Sequence, residues 1–369
     1  MIVALGLVVL SSASEANGVR LHNDAYFFMK RQFAYLVAGI AVAAATAVAD
    51  YRVWRAHPSL TWLMFAGVMA MLLAVFPPLG RMINGSYRWI NLGPVNIQPS
   101  EFAKLAAVIV LAVWLDRAGW RVELFMRGAF WPAAIAGALA LPVMLEPDFG
   151  STMVIGLASV LVMLVAGVRV LHMAPFAIAG GAALAYKVFT NANRMARIAA
   201  FFGIKLDMGA EVVDAAAKRA AYQAHQALVA IGNGGIWGVG LNQSMQKHYY
   251  LPEAHTDFIF AIGAEELGLF FSVGVLLLFI AFFALSVHIA RKSSDRFGRF
   301  LVMGMTFVVF FQAMFNIGVV CEALPTKGMA LPFFSSGGTN MLSAFFAVGT
   351  ILSVGIHSYR DRKRKLPHG

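Results

Sequence analysis

The composition of this 369-residue chain is typical of a membrane protein. Hydrophobic residues make up 60% of the chain and charged residues 13%, whereas soluble domains carry about 25% charged residues. The net charge of +11 would suit nucleic acid, but the basic residues concentrate in loops predicted on one side of a bilayer and in the C-terminal tail. This distribution excludes nucleic acid as the expected partner and favours anionic lipid. The single cysteine, Cys321, excludes a disulfide framework and a cysteine-based metal site.

The hydrophobic segments predict a polytopic helical bundle. A helix needs about 20 apolar residues to cross a hydrocarbon core of about 30 Å, and segments of that length recur about ten times. Helices are expected because lipid offers no partner for exposed backbone groups. We therefore predict an all-α polytopic membrane protein, with one domain over residues 1–369 and a long extracytoplasmic loop at about 190–256, between helices 7 and 8. The excess of Lys and Arg in the inner loops predicts that both termini are cytoplasmic.

The chain opens with an apolar segment, residues 1–10, that runs into the sequence SSAS. This pattern is similar to the core and cleavage site of a signal peptide, but the basic n-region is missing. We expect instead a first span whose cytoplasmic leader is short or missing. Further spans are predicted at about 33–49 and 60–76.

The outer loop predicted at residues 77–100 is rich in Gly, Asn, Arg and Trp. Asn84-Gly85 and Gly93-Pro94 are turn signals. A cation and an aromatic ring, as in Arg88-Trp89, are well placed at the level of the lipid headgroups, so an interfacial anchor is one interpretation of this pair.

The next helix, predicted to begin at Pro99-Ser100-Glu101, carries a lysine that needs an explanation. Ser100 is a good N-cap, and the helix dipole favours Glu101 in the first turn. Lys104 opposes the dipole, and a charge at membrane depth costs about 2.5 to 3.5 kcal/mol. It either pairs with Glu101 three residues before it or binds an anionic group, and the second interpretation is favoured.

Spans predicted at about 128–145 and 151–167 are joined by the sequence EPDFG. Asp148 in this loop either caps the following helix or is a second acid of an outer site. The DFG tripeptide lacks the other kinase motifs and is discarded.

After a span predicted at 170–189, the long polar loop contains two further signals. Arg194 and Arg197 are three residues apart, so on a helix they share a face that could grip phosphate. Residues 213–231 predict an interfacial helix. The glycines after it predict tight turns and close backbone approach, for which a sugar is one candidate.

The sequence LPEAHTDFIFAIGAEELG, residues 251–268, marks the change from polar loop to apolar helix. We predict that the helix begins at Thr256 or Asp257. Glu265 is then about 80° around the helix from Asp257 and Glu266 about 180°, so Glu265 is the expected neighbour. Three carboxylates in so short a stretch exceed what capping requires. After a span at about 300–321, small residues at 335–339 predict an oxygen-binding or gating loop.

The charged residues predicted on the outer face suit a lipid-linked diphosphate and acid–base chemistry. They are Arg88, Glu101, Lys104, Asp148, Arg194, Arg197 and Asp257. The H-E-x-x-H zinc signature is missing, and no Ser-His-Asp set can be assembled.

The chain resembles the SEDS family (shape, elongation, division and sporulation) along nearly its whole length. The strings that carry the resemblance are YRWINLGPVNIQPSEFAK, EPDFGS, NRMARI, AYQAHQALVAIGNGGIWGVG, LPEAHTDFIFAIGAEELG and LPTKGMALPFFSSGGTN. Members are peptidoglycan glycosyltransferases of the FtsW and RodA types. The resemblance implies ten helices in the bacterial inner membrane and lipid II as substrate. It also implies inverting polymerisation at the MurNAc anomeric carbon, with undecaprenyl diphosphate as leaving group.

The same resemblance assigns roles to particular residues. It implies that Asp257 is the base for the acceptor GlcNAc 4-hydroxyl. The implied substrate-binding residues are Arg88, Trp89, Glu101, Lys104, Asp148, Arg194 and Arg197. The PTKG sequence is closer to FtsW than to RodA, which implies a class B penicillin-binding protein as transpeptidase partner, together with other divisome proteins. The sequence SSGGTN and Trp237 depart from the family pattern and leave the subfamily open.

Three points stay open at this level. Acids near a diphosphate suit Mg²⁺ or Mn²⁺, but no cofactor is required by the motifs. A lipid II flippase would use the same charged residues, because buried charges also mark transport paths. A non-catalytic scaffold that positions a partner during division is the third interpretation.

Overall fold

The computed structural model describes residues 1–76, 80–83, 86–91, 93, 96–146, 148–202, 211–248 and 250–365, and these are mainly helical. The first helices are α1 (Ile2–His22), α2 (Phe27–Val48), α3 (Val53–Ala56), α4 (Pro58–Ala74), α5 (Pro99–Ala118), α6 (Trp131–Leu145) and α7 (Phe149–Ala166). They are followed by α8 (Val170–Phe189), α9 (Ala192–Phe202), α10 (Glu211–Gly234), α11 (Ile259–Arg291), α12 (Arg296–Val320) and α13 (Gly338–Lys365). A 3₁₀ turn at Gly119–Glu123 and a π-helical segment at Phe125–Phe130 lie between α5 and α6.

The predicted all-α architecture is confirmed, with one small sheet that the sequence did not predict. The strands β1 (Gly80–Ile83), β2 (Ser86–Asn91) and β3 (Asn96–Ile97) pair antiparallel in the order β1-β2-β3. Strands this short leave little periodicity to detect among turn residues. The turn predicted at Asn84-Gly85 lies outside the described residues, as does Pro94 of the second predicted turn.

Seven helices in the described part of the chain are long and apolar enough to cross a bilayer. They are α1, α2, Phe125–Leu145, α7, α11, α12 and the Gly338–Arg364 part of α13. At the other predicted spans the structure has α4, α5 and α8, of which α4 is apolar but only 17 residues long. The multi-pass character is therefore established, and the count of ten stays a prediction.

The chain forms two compact units built from non-consecutive segments. Unit 1 comprises Met1–Tyr35, Gly181–Ile280 and Gln312–Gly337. Unit 2 comprises Leu36–Gly180, Ala281–Phe311 and Gly338–Gly369. The single domain predicted over residues 1–369 stays a prediction.

In unit 2, α5 is the central helix. Ala, Val and Leu occur on all its faces, and a helix that is apolar all round is expected in an interior. It packs against α4, α6 and α7. The core cluster there includes Val68, Leu72, Ala106, Leu139 and Ile155. This central position carries the charged side chains at the start of α5 into the interior.

In unit 1, α11 is bent at Gly268, where φ is 70° and ψ is −162°. The amides of Val239 and Gly240 each donate, at 3.0 Å, to carbonyl oxygens of α11 just before the bend. An added Cβ at Gly238 would lie 2.2 Å from one of these oxygens. The close backbone approach predicted for the glycine-rich segment is therefore made to the protein's own helix, which exposes carbonyl groups at its bend.

Candidate active site

The predicted site residues divide between the two units. Asp257, Arg194 and Arg197 belong to unit 1, and Arg88, Trp89, Glu101, Lys104 and Asp148 belong to unit 2. Each unit thus has its own set of predicted site residues.

Asp257 lies two residues before α11, and the prediction that the helix begins at Thr256 or Asp257 was wrong. Ser335 Oγ donates to the carbonyl oxygen of Thr256 at 2.6 Å, and Asn316 Nδ2 donates to that of Asp257 at 2.7 Å. In a helix these carbonyls would accept from amides four residues later. Because side chains occupy them, regular helix starts only at Ile259.

The small-residue segment after α12 supports this turn. The amide of Ser336 donates to the carbonyl oxygen of His255 at 3.0 Å. The amide of Leu331 donates to Ser335 Oγ at 2.7 Å, and Gln32 Nε2 donates to the Ser335 carbonyl at 3.1 Å. The loop predicted to bind oxygen or act as a gate therefore uses these groups within the protein, and a ligand-binding role stays a prediction.

His255 is held in a partly aromatic environment. Its Nδ1 lies 3.2 Å from Asn17 Nδ2, and its ring centroid lies 4.9 Å from that of Phe28. Burial lowers the pKa of His255 below its usual 6.5, although the charge of Glu253 opposes this shift. A neutral imidazole therefore stands two residues before Asp257 and adds no positive charge beside it.

Glu265 and Glu266 belong to a buried polar cluster. Ser244 Oγ donates to Glu265, and Lys247 Nζ lies 3.3 Å from Glu266 Oε1. Lys247 Nζ also lies 2.9 Å from Ser12 Oγ. All five residues are buried, with at most 5% of their surface exposed. The angles around the helix predicted that Glu265 lies next to Asp257. In the structure, the hydrogen bonds of the Glu265 side chain go to the segment before α11.

Lys104 forms the ion pair that its spacing from Glu101 allows. Nζ of Lys104 lies 2.7 Å from Glu101 Oε1, and Ser343 Oγ donates to Glu101 Oε2 at 2.9 Å. Lys104 is 2% exposed and Glu101 is 5% exposed. The pair is thus part of the interior of unit 2, and binding of an anionic ligand by Lys104 stays a prediction.

Asp148 caps α7 and also contacts the start of α5. Its Oδ1 accepts from the amide of Ser151 at 3.3 Å. Its Oδ2 accepts from Ser100 Oγ at 3.0 Å and from Gln98 Nε2 at 3.2 Å. The capping interpretation is confirmed for Asp148, whereas the predicted cap Ser100 was wrong because Gln98 occupies the N-cap position of α5.

Arg88 and Trp89 lie on β2 and are partly buried. Arg88 Nε donates to the carbonyl oxygen of Glu146 at 3.3 Å. Burial raises the pKa of the Glu146 side chain to about 8, with a further contribution from the charge of Asp148, while Arg88 opposes the shift. Glu146 is therefore a mostly neutral acid at pH 7, and the sequence did not single it out.

Arg194 and Arg197 lie on α9, as the spacing argument required. Arg194 Nη1 donates to the carbonyl oxygen of Lys187 at 2.7 Å, and Arg197 is exposed. In the described ranges no group of three or more His, Cys, Asp or Glu side chains is placed to hold a metal ion. Phosphate binding by the arginines, and Mg²⁺ or Mn²⁺ binding, stay predictions.

Sequence reasoning missed several residues that organise the two sets of contacts. In unit 1 these are Asn316 and Lys247, and in unit 2 they are Gln98 and Ser343. A single amide in the apolar sequence AMFNIGVV is a usable signal for Asn316, because a polar side chain in a membrane helix needs a partner.

Comparison with known proteins gives a consistent set of relatives. The model of the cell cycle protein family FtsW, RodA and SpoVE matches residues 1–360. A protein of Geobacter sp. strain M18, named probable peptidoglycan glycosyltransferase FtsW, is 34% identical over 357 residues, covering 96% of this chain and 94% of the relative. The protein of that name from Thioalkalivibrio sulfidiphilus is 38% identical over 356 residues, covering 96% and 86%.

Solved structures show the same fold. A chain from a peptidoglycan synthase complex, studied for its coordination of polymerization and crosslinking, aligns with a TM-score of 0.69 and 25% identity, covering 98% of this chain and 96% of that one. The crystal structure of the rod shape determining protein RodA from Thermus thermophilus aligns with a TM-score of 0.66 and 24% identity, covering 97% and 94%.

Proposed function

Because the chain belongs to the FtsW, RodA and SpoVE family of cell cycle proteins, we propose that it polymerises lipid II into glycan strands during cell division. It is a multi-pass membrane protein and a peptidoglycan glycosyltransferase. One observation carries this conclusion: the family match spans residues 1–360, and relatives named peptidoglycan glycosyltransferase FtsW align with 96% of the chain.

Asp257 is proposed as the general base. Its carboxylate takes the proton of the 4-hydroxyl of the acceptor GlcNAc as that oxygen bonds to the anomeric carbon of MurNAc. The bond from this carbon to the diphosphate breaks, undecaprenyl diphosphate leaves with the electron pair, and the configuration inverts. Two observations support the role: Asp257 is only partly buried, and side-chain hydrogen bonds hold the turn that carries it.

The leaving diphosphate gains negative charge, so cations close to it would stabilise the transition state. The cations proposed for substrate binding, Arg88, Lys104, Arg194 and Arg197, are each a candidate source of this positive charge. The other proposed substrate-binding residues are Trp89, Glu101 and Asp148. Carboxylates beside a diphosphate would also suit Mg²⁺ or Mn²⁺, and the proposed steps assign no part to such an ion.

The proposed setting is the bacterial inner membrane, with both termini in the cytoplasm and the loop at about 190–256 outside. The excess of Lys and Arg in the predicted inner loops supports this orientation. The proposed partner is a class B penicillin-binding protein, with other divisome proteins. The similarity to a chain of a synthase complex for polymerization and crosslinking supports a transpeptidase partner. The relatives named FtsW support the division branch.

The test is polymerisation of lipid II by purified protein in the presence of its transpeptidase partner. We expect glycan strands from the wild type, and from Asp257→Asn a rate that is lower by about 100-fold or more, as for loss of a general base. Glu253→Gln is a matched control, because Glu253 is an exposed carboxylate in the same turn. Equal products from Asp257→Asn and the control would remove Asp257 from the mechanism.

The same preparation distinguishes the two other functions. Transfer of lipid II across liposomes without polymer would identify a flippase. Stimulation of the transpeptidase by wild type and Asp257→Asn alike, again without polymer, would identify a scaffold.

A further inference from the structure

The carboxylate of Asp257 lies directly against Gly328, in the PTKG loop after α12. A Cβ added to Gly328 would lie 2.4 Å from Oδ2 of Asp257, 3.2 Å from its Cγ and 3.6 Å from its Oδ1. Real Cβ atoms essentially never come closer than 3.0 Å to a heavy atom to which they are not linked through neighbouring bonds. Only a residue without a side chain can therefore occupy position 328 while the carboxylate keeps this place.

The backbone conformation does not explain the glycine. Gly328 is not among the glycines with positive φ, so other residues could adopt its backbone angles. The three atoms nearest to the added Cβ all belong to the Asp257 side chain. Glycine is therefore needed at this position only to keep the Asp257 carboxylate in this place.

Asn316 holds the two sides of this contact together. Its Nδ2 donates to the carbonyl oxygen of Asp257 at 2.7 Å and to that of Met329, the residue after Gly328, at 2.6 Å. Asn316 is 2% exposed, so water does not compete for these bonds. One buried amide thus fixes the distance between the backbone that carries the carboxylate and the loop against which the carboxylate rests.

We propose that Gly328 and Asn316 are positioning residues that set the place of the Asp257 carboxylate for proton transfer. The proposal rests on the proposed role of Asp257 as base. General-base catalysis requires hydrogen-bond distance between base and hydroxyl, and a misplacement of about 1 Å can cost about 100-fold in rate. Neither residue needs to touch the substrate.

The first test is Gly328→Ala. The methyl group would push the end of a flexible side chain away by about 1 Å, so the fold is expected to survive while the carboxylate moves. We expect kcat for lipid II polymerisation to fall about 100-fold, with KM and the melting temperature unchanged. The matched control is Gly274→Ala, in the same unit, where an added Cβ meets no atom within 4 Å.

The second test compares two buried amides on α12. Asn316→Asp removes the donor to Asp257 and Met329, whereas Gln312→Glu removes a donor to the carbonyl oxygen of Ala330 in the same loop, a bond of 2.9 Å. Both changes place a carboxylate in the interior near this loop. We expect Asn316→Asp to lower kcat at least 10-fold more than Gln312→Glu does, and to alter the pH dependence of kcat.

The outcomes separate this inference from the proposed function. Normal polymerisation by Asp257→Asn would overturn the role of Asp257 as base. An inactive Asp257→Asn beside a Gly328→Ala that matches Gly274→Ala would overturn only the positioning. Positioning would also be overturned if the two α12 variants lost activity equally, or if the lost activity of Gly328→Ala merely followed a loss of folded protein.

Discussion

The single variant Lys104→Met should destabilise unit 2 far more than the double variant Lys104→Met/Glu101→Gln, which removes both charges of the ion pair. The variant leaves Glu101, which is 5% exposed, in the interior without its cation at 2.7 Å, and the Ser343 hydroxyl is a poor substitute for a full positive charge. Breaking a buried ion pair from one side costs about 3 to 5 kcal/mol, whereas replacing both members with uncharged groups is often close to neutral. We therefore expect the double variant Lys104→Met/Glu101→Gln to recover most of the loss.

The assay is thermal unfolding in detergent, measured for the two single variants and the double variant. Lys30→Met is the control for a solvent-exposed pair, because Lys30 and Asp24 lie 2.8 Å apart with 68% and 34% of their side chains exposed, and such pairs contribute about 0 to 1 kcal/mol. Equal destabilisation by Lys104→Met and by the double variant would refute the ion-pair reasoning.

The double variant also separates folding from substrate binding. If it is folded and polymerises lipid II at the wild-type rate, Lys104 is a structural partner of Glu101. If it is folded but inactive, the pair does more than stabilise unit 2, and substrate binding by Lys104 or Glu101 is supported.

Three further predictions concern single positions. Because the pKa of His255 is lowered in the folded state, its contribution to stability is present above pH 6.5 and is lost as the pH falls through the folded-state pKa. The melting temperature of His255→Gln should therefore change less between pH 7 and pH 5 than that of the wild type. The raised pKa of Glu146 has the opposite sign: stability should fall as the pH rises from 4.5 to about 8, and Glu146→Gln should remove that decline between pH 5 and pH 9. Gly238→Ala should lower the melting temperature much more than Gly235→Ala, because both residues have positive φ but only at Gly238 would the Cβ meet a backbone oxygen, at 2.2 Å.

Local features were predictable from the sequence because they depend on neighbours along the chain. Hydrophobic length located the helices, and a polar residue after proline indicated the cap at Asp148. Spacing of three residues allowed the Lys104 and Glu101 pair, which was the less favoured interpretation of the sequence. The small sheet was not predictable in this way, since its strands contain too few residues to establish a period.

Contacts between distant segments could not be predicted from these local rules. Lys247 and Ser12 are 235 residues apart, and nothing in either segment alone indicates that they meet beside Glu266. The start of α11 was misplaced for the same reason. Propensity and capping rules allow a helix from Asp257, but Ser335 and Asn316, which come from later segments of the chain, take the carbonyl groups that the first turn would have used.

The three carboxylates at 257, 265 and 266 were grouped by the sequence, and the structure separates them by their surroundings. Glu265 and Glu266 are each 1% exposed, with hydrogen bonds from Ser244 and Ser12 and the charge of Lys247 close by. Buried carboxylates with such partners stabilise a fold, and their presence near a membrane boundary does not by itself indicate catalysis. Asp257 differs because it is only partly buried, and because the buried Asn316 side chain donates a hydrogen bond to its backbone carbonyl. A base needs a fixed position that a hydroxyl can reach, and among these three acids Asp257 alone combines a held backbone with a residue that is only partly buried.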